Sequence, residues 1–176
     1  DCNDMVVDGQ GRAWIGNWGF DFMAGAKPAT TVFVRVDPDG RAQVVADGMF
    51  FPNGSVVTPD GRTLIVAETY RGQLTAFDIA DDGSLRNRRA WATLAEGKPD
   101  GICLDHTGAV WVADASGPRC IRAREGGEVL QVVDTEQPCY ACMLAGDDGR
   151  TLFMITAAPS HPAQASVQRS GKILTT

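Results

Sequence analysis

One fourteen-residue pattern recurs four times along the chain, at 3–16, 53–66, 100–113 and 141–154. Each copy is a short apolar run, a polar turn containing glycine, and a second apolar run, which is how a β-hairpin reads. The equivalent glycines, Gly11, Gly61, Gly108 and Gly149, are separated by 50, 47 and 41 residues. Glycine at a fixed phase marks a turn position that needs φ > 0. Periods of ~20–50 residues belong to stacked architectures, whose single units cannot bury an apolar face alone.

Further strand pairs fill the intervals. Residues 32–37 turn at Pro38-Asp39-Gly40 and return through 42–45. Residues 73–78 turn at Asp81-Asp82-Gly83 and return through 89–94, and 119–122 turn at Glu125-Gly126-Gly127 and return through 129–133. Each period of ~40 to 50 residues therefore holds four strands, the size of one propeller blade. No long stretch shows helical spacing. The reading is all-β: a single partial β-propeller domain over 1–176, with about four four-stranded blades and the last, from Ala141 to Thr176, incomplete. First strands such as 54–57 and 101–104 are nearly all apolar or small, which places them innermost, around the central channel. A propeller removes its open sheet edges by closing the ring. The start inside a repeat thus leads to the expectation that one or two blades precede Asp1. Open edges would also favour self-association of the chain by itself.

Composition narrows the partners. Hydrophobic residues make up 44 %, enough for a proper core, and the net charge is −6. An acidic chain lacks the basic face that binds nucleic acid. It suits hard cations better than anions. No run of about 18 apolar residues offers a membrane span. Cys2, Cys103, Cys120, Cys139 and Cys142 are odd in number and irregular in spacing. They read as reduced, mostly buried thiols of a cytoplasmic protein. Cys139 and Cys142 form a CxxC, but no second pair or nearby His completes a zinc site. They read instead as part of a buried strand start.

A polar residue stands directly before each of three inner strands: Asn3, Asn53 and Asp100. Such residues often cap their own turns. Their recurrence at one repeat phase, Asn53 and Asp100 each between Pro and Gly, also fits oxygen ligands aimed from successive blades at a hard cation such as Ca²⁺.

Asn3-Asp4 with Asp8 and Gly11-Arg12, Pro52-Asn53-Gly54 followed by residues 59–64 and 67–69, and Pro99-Asp100-Gly101 with Gly108 and residues 111–114 carry a family resemblance. The chain resembles the senescence-marker-protein-30/gluconolactonase/luciferin-regenerating-enzyme family over essentially its whole length. That resemblance implies a six-bladed propeller in the intact protein. It implies a metal-dependent lactonase or esterase acting at the mouth of the propeller channel. Asn53 and Asp100 would be metal ligands, and Asn3 a ligand or a holder of substrate and water. The metal would be Ca²⁺, with Zn²⁺, Mn²⁺ or Mg²⁺ as alternatives, and the partner a small lactone or ester. Asp21 falls where some members carry a substrate-pocket acid.

Two departures stand out. The family's first-blade Glu ligand has no counterpart here, and the Arg that sugar-lactonase members carry two residues before the Asn3 position is Asp1. The bidentate grip of Arg on sugar hydroxyls is thus missing. In the implied site a metal polarises the lactone carbonyl and acidifies a water, while Asp100 serves as catalytic proton acceptor and Asn3 supports it. The alternatives are a non-catalytic propeller binding a small ligand or protein, and a phosphoester or organophosphate hydrolase using the same site.

Other candidates are weaker. His106 sits in a hairpin turn and His161 in a Pro-flanked loop, and both read as surface residues. Trp14 and Trp111 share a repeat phase and read as packing between blades. Glu68 ends a second strand, where it would either line the channel or form a structural salt bridge.

Overall fold

A computed structural model describes residues 1–94, 96–159 and 162–176, without the side chains of 162 and 163. Fifteen strands form four antiparallel sheets, each a blade built outward in chain order. Blade one comprises β1 (Cys2–Val7), β2 (Ala13–Asn17), β3 (Thr31–Val36) and β4 (Ala42–Met49). Blade two is β5 (Pro52–Val57), β6 (Thr63–Glu68), β7 (Gln73–Ile79) and β8 (Leu85–Thr93). Blade three is β9 (Pro99–Leu104), β10 (Val110–Asp114), β11 (Arg119–Ala123) and β12 (Val129–Asp134). Blade four has three strands, β13 (Cys139–Ala145), β14 (Thr151–Thr156) and β15 (Lys172–Thr175), with a seven-residue helix, α1 (Pro162–Gln168), before the last. The architecture is a β-propeller, as the repeat predicts.

The repeat is visible in the hairpins themselves. Gly11, Gly61, Gly108 and Gly149 all have φ between 67° and 82° and each closes the turn between the first and second strands of its blade. The innermost strands stand side by side, β1 against β5, β5 against β9 and β9 against β13.

Three apolar clusters fill the three gaps between blades. Trp14, Phe33, Leu64 and Phe77 join blades one and two; Ile65, Trp91, Ile102 and Val112 join two and three. Trp111, Leu152 and Met154 join three and four together with Cys103, Cys120, Cys139 and Cys142. Both tryptophans singled out by repeat phase therefore pack between blades. All five cysteines are free and only Cys2 is exposed. In a regular strand, residues three apart face opposite sides. An irregularity in pairing between Cys139 and Ala141 lets Cys139 and Cys142 face the same core.

Candidate active site

Asn3, Asn53 and Asp100 are the second residues of β1, β5 and β9, inside the strands rather than ahead of them. The reason lies in pairing. Cys2 pairs with Asn17, Pro52 with Glu68 and Pro99 with Asp114, and in each blade the register then slips by one residue. Each slip is a bulge, which bends the strand and re-aims a side chain. The same device thus recurs three times and carries the three candidate residues with it. Proline can open these strands because it has no N–H to offer the ladder.

The glycines after Asn53 and Asp100 answer to crowding, not to a turn. A Cβ on Gly54 would lie 2.5 Å from the Asp100 carbonyl oxygen, and one on Gly101 would lie 2.8 Å from Ala141 Cα. Neighbouring inner strands approach so closely here that only glycine fits.

Asn3, Asn53 and Asp100 line one cavity of about 550 Å³, together with Thr69, Lys98 and several aromatic rings. Hydrogen bonds from Asn3 and Thr69 tie blade one to two and blade two to three. Asn3 Nδ2 donates to the Pro52 carbonyl at 3.1 Å, and Asn53 Nδ2 donates to Thr69 Oγ1 at 3.2 Å. The Thr69 hydroxyl in turn donates to the Pro99 carbonyl at 2.7 Å. Both amides thus use their N–H groups on the protein, and no described residue donates to either amide oxygen.

Asp100 is the electrostatic centre. Burial, then the negative charge of Asp4, push its carboxyl up to about 7, against a hydrogen bond from Asn53 that favours the ionised form. No described cation pairs with it. Asp4 itself is raised by burial, and Tyr140 is raised by burial and by the charge on Asp100.

Tyr140 is a residue the repeat missed. It sits in the one-residue slip between Cys139 and Ala141, the counterpart in blade four of the other bulges, and it lines the cavity. The repeat aligns Ala141 with Asp100, but the bulge of blade four lies one residue earlier.

Other expected residues lie elsewhere. Asp21 is exposed and outside the cavity lining, its carboxylate accepting the Ala24 N–H at 3.0 Å. His106 is exposed in its hairpin turn. His161 and its neighbour Ser160 lie outside the described residues. Glu68 is fully buried and forms the structural salt bridges, with Arg71 at 3.0 Å and Arg88 at 3.2 Å. It also accepts the Phe50 N–H at 2.6 Å, which fixes the chain just ahead of Asn53.

Among the described residues, no group of three or more His, Cys, Asp or Glu side chains could hold a metal. The candidate donors are instead one carboxylate and two amides. This set fits a hard cation: a desolvated, unpaired carboxylate stands beside two amide oxygens that accept nothing from the protein.

Residues 1–158 match the SMP-30/gluconolactonase/LRE-like family model. The chain belongs to that family. A 6-deoxy-6-sulfogluconolactonase of Pseudomonas putida is 30 % identical over 168 residues, which are 92 % of this chain and 56 % of that protein. Regucalcin of Danio rerio is 29 % identical over 168 residues, 93 % of this chain and 56 % of its own length. Among solved structures, a gluconolactonase from Xanthomonas campestris superposes with a TM-score of 0.72 at 29 % identity, over 87 % of this chain and 53 % of that one. The chain spans about half the length of the curated relatives it matches. Lactone hydrolases are thus among its relatives. No helix among the described residues is long and apolar enough to cross a membrane.

Proposed function

We propose that the chain carries the site of a metal-dependent hydrolase that opens lactones or related esters at the mouth of the propeller channel. The carrying observation is Asp100, a carboxylate raised to about 7 beside two amides whose oxygens accept nothing from the described protein. Asn3, Asn53 and Asp100 would hold the cation. Ca²⁺ is preferred because one charged and two neutral oxygen donors make a hard site of low charge; Zn²⁺, Mn²⁺ and Mg²⁺ are the alternatives. When bound, it would supply Lewis acidity to the carbonyl under attack.

The rest falls to the chain's own groups. Asp100, kept ionised by the cation it would hold, could accept a proton from the attacking water and return it to the leaving alkoxide. Water oxygen bonds to the acyl carbon, the ring C–O bond breaks, and a hydroxy acid leaves. Asn53 holds Asp100 in its ionised orientation. Lys98, whose ammonium lies 5.6 Å from the Tyr70 ring centroid, supplies a positive charge for the carboxylate product. Five free thiols accord with a cytoplasmic setting. Exposed Met5, Val7 and Met143 on innermost strands accord with self-association when nothing covers them.

The test is a lactone-hydrolysis assay with Ca²⁺ in excess. Asp100→Ala should lower turnover by about 10²-fold or more, since it removes a ligand and a proton acceptor together. Asn53→Ala should lower it by about tenfold, and both variants should stay folded. Full turnover in both would end the metal-hydrolase reading.

A further inference from the structure

The cavity has an aromatic wall that the ligand set does not need. Trp18, Phe22, Phe51, Tyr70 and Tyr140 all line it. All but Tyr140 form one connected cluster around Phe51: Trp18 lies parallel to it at 6.3 Å, Phe22 edge-on at 5.5 Å and Tyr70 tilted at 5.1 Å. They come from three separate segments, the loop after β2, the turn before β5 and the short 3₁₀ turn after β6.

Phe51 occupies a backbone conformation that disfavours it. Its φ is +59°, in the left-handed region where a bulky residue is an outlier. The surroundings hold it there. The buried Glu68 accepts the N–H of Phe50, and the Phe51 carbonyl accepts the Thr69 N–H at 3.2 Å. Glycine would relieve the strain, so the ring itself is what the position keeps.

Several polar groups of the cavity are already engaged. The amide N–H groups of Asn3 and Asn53 and the hydroxyl of Thr69 already bond to the protein. A polyhydroxylated substrate would set hydroxyls against the ring faces, which offer them no partner. A flat apolar group would extend the ring cluster instead.

We infer that this site selects planar aryl-bearing lactones or aryl esters over polyhydroxylated sugar lactones, with Phe51, Trp18 and Phe22 as its recognition surface. The lactone half of that statement rests on the proposed hydrolase reading; the aryl half rests on the wall alone. The substrate class is thus a fused or pendant aromatic ring beside the cyclic ester.

Binding of lactams, which the site does not hydrolyse, separates the two halves. The ligands are 3,4-dihydroquinolin-2-one, the lactam counterpart of an aryl lactone, and δ-gluconolactam. Tryptophan fluorescence reports on the site because Trp18 lines it while Trp14, Trp91 and Trp111 lie in the cores between blades. The aryl lactam should quench fluorescence and bind at least about tenfold tighter than gluconolactam. Phe22→Ala, at a ring 44 % exposed, should weaken the aryl lactam by about 3- to 10-fold and leave gluconolactam unchanged. Trp18→Phe should remove the quenching. Gluconolactam binding as tightly as the aryl lactam, no binding of the aryl lactam, or undiminished quenching in Trp18→Phe would overturn the inference. If the aryl lactam binds as expected but no lactone is opened, the hydrolase reading falls and the aryl site stands.

Discussion

Blades two and three hold their site residues differently from blades one and four. In the middle blades the first strand opens Pro-Asn53-Gly or Pro-Asp100-Gly, and the second strand ends in a buried acid. Glu68 accepts the Phe50 N–H and Asp114 accepts the Lys98 N–H at 3.0 Å, each just ahead of its site residue. In the outer blades the same position is neutral. Asn17 donates to the Val32 carbonyl at 2.7 Å and accepts from Thr31, and Thr156 accepts from Gln137 at 3.1 Å. Asn53 and Asp100 are therefore clamped by charge at their backs, whereas Asn3 and Tyr140 are held by neutral hydrogen bonds. A charged acceptor makes the stronger bond, so the two middle blades set the geometry and the outer two complete the enclosure.

The largest test of this difference is removal of the clamp. Glu68→Ala should cost roughly 3 kcal/mol, because it strands the Phe50 N–H and the Thr75 hydroxyl and frees two arginines. The arginines are over a third exposed, which keeps the cost below that of a fully buried pair. Asn17→Ala should cost only about 1 kcal/mol. Urea denaturation reads both, and equal costs would break the comparison.

A smaller effect is expected from crowding at the axis. Gly54→Ala should destabilise by about 1–3 kcal/mol, since the new Cβ meets the Asp100 backbone. Gly9→Ala, with nothing within 4 Å, should stay within about 0.5 kcal/mol. The Gly54 variant should also lose lactone hydrolysis beyond its loss of stability, because it parts Asn53 from Asp100.

A third test is the pH signature of Asp100. Its carboxyl titrates near 7 in the fold and near the ordinary 3.8 when unfolded. The favourable contribution is complete below 3.8 and is lost as pH rises through 7. Without metal, Asp100→Asn should therefore match the parent at pH 3.5. At pH 8 it should melt higher, because the parent then carries a desolvated charge that the amide lacks. A variant that melts lower at pH 8 would place Asp100 in a stabilising contact instead.

The blades were legible because their turns impose a residue type. Gly11, Gly61, Gly108 and Gly149 adopt positive φ at one phase, and the apolar runs around them have no other economical burial. The three polar residues were legible for the same reason, by phase. Their placement inside the strands was not, since a bulge changes pairing without changing composition. The shorter interval in blade four hid Tyr140 in the same way. The aromatic wall could not be read at all. Trp18, Phe51 and Tyr70 belong to three segments whose nearness depends on how blades one and two stack. Asp21 shows the converse: it lies next to Phe22 in sequence, yet only the ring reaches the cavity.

The central claim is that Asn3, Asn53 and Asp100 hold one divalent cation. Calorimetric titration of Ca²⁺ into the chain and into Asp100→Asn at pH 7.5 tests it most directly. The account predicts one site per chain with a Kd of about 10⁻⁴ to 10⁻³ M, weak because one ligand alone is charged, and no measurable site in the variant. Equal Ca²⁺ binding by parent and variant would contradict it.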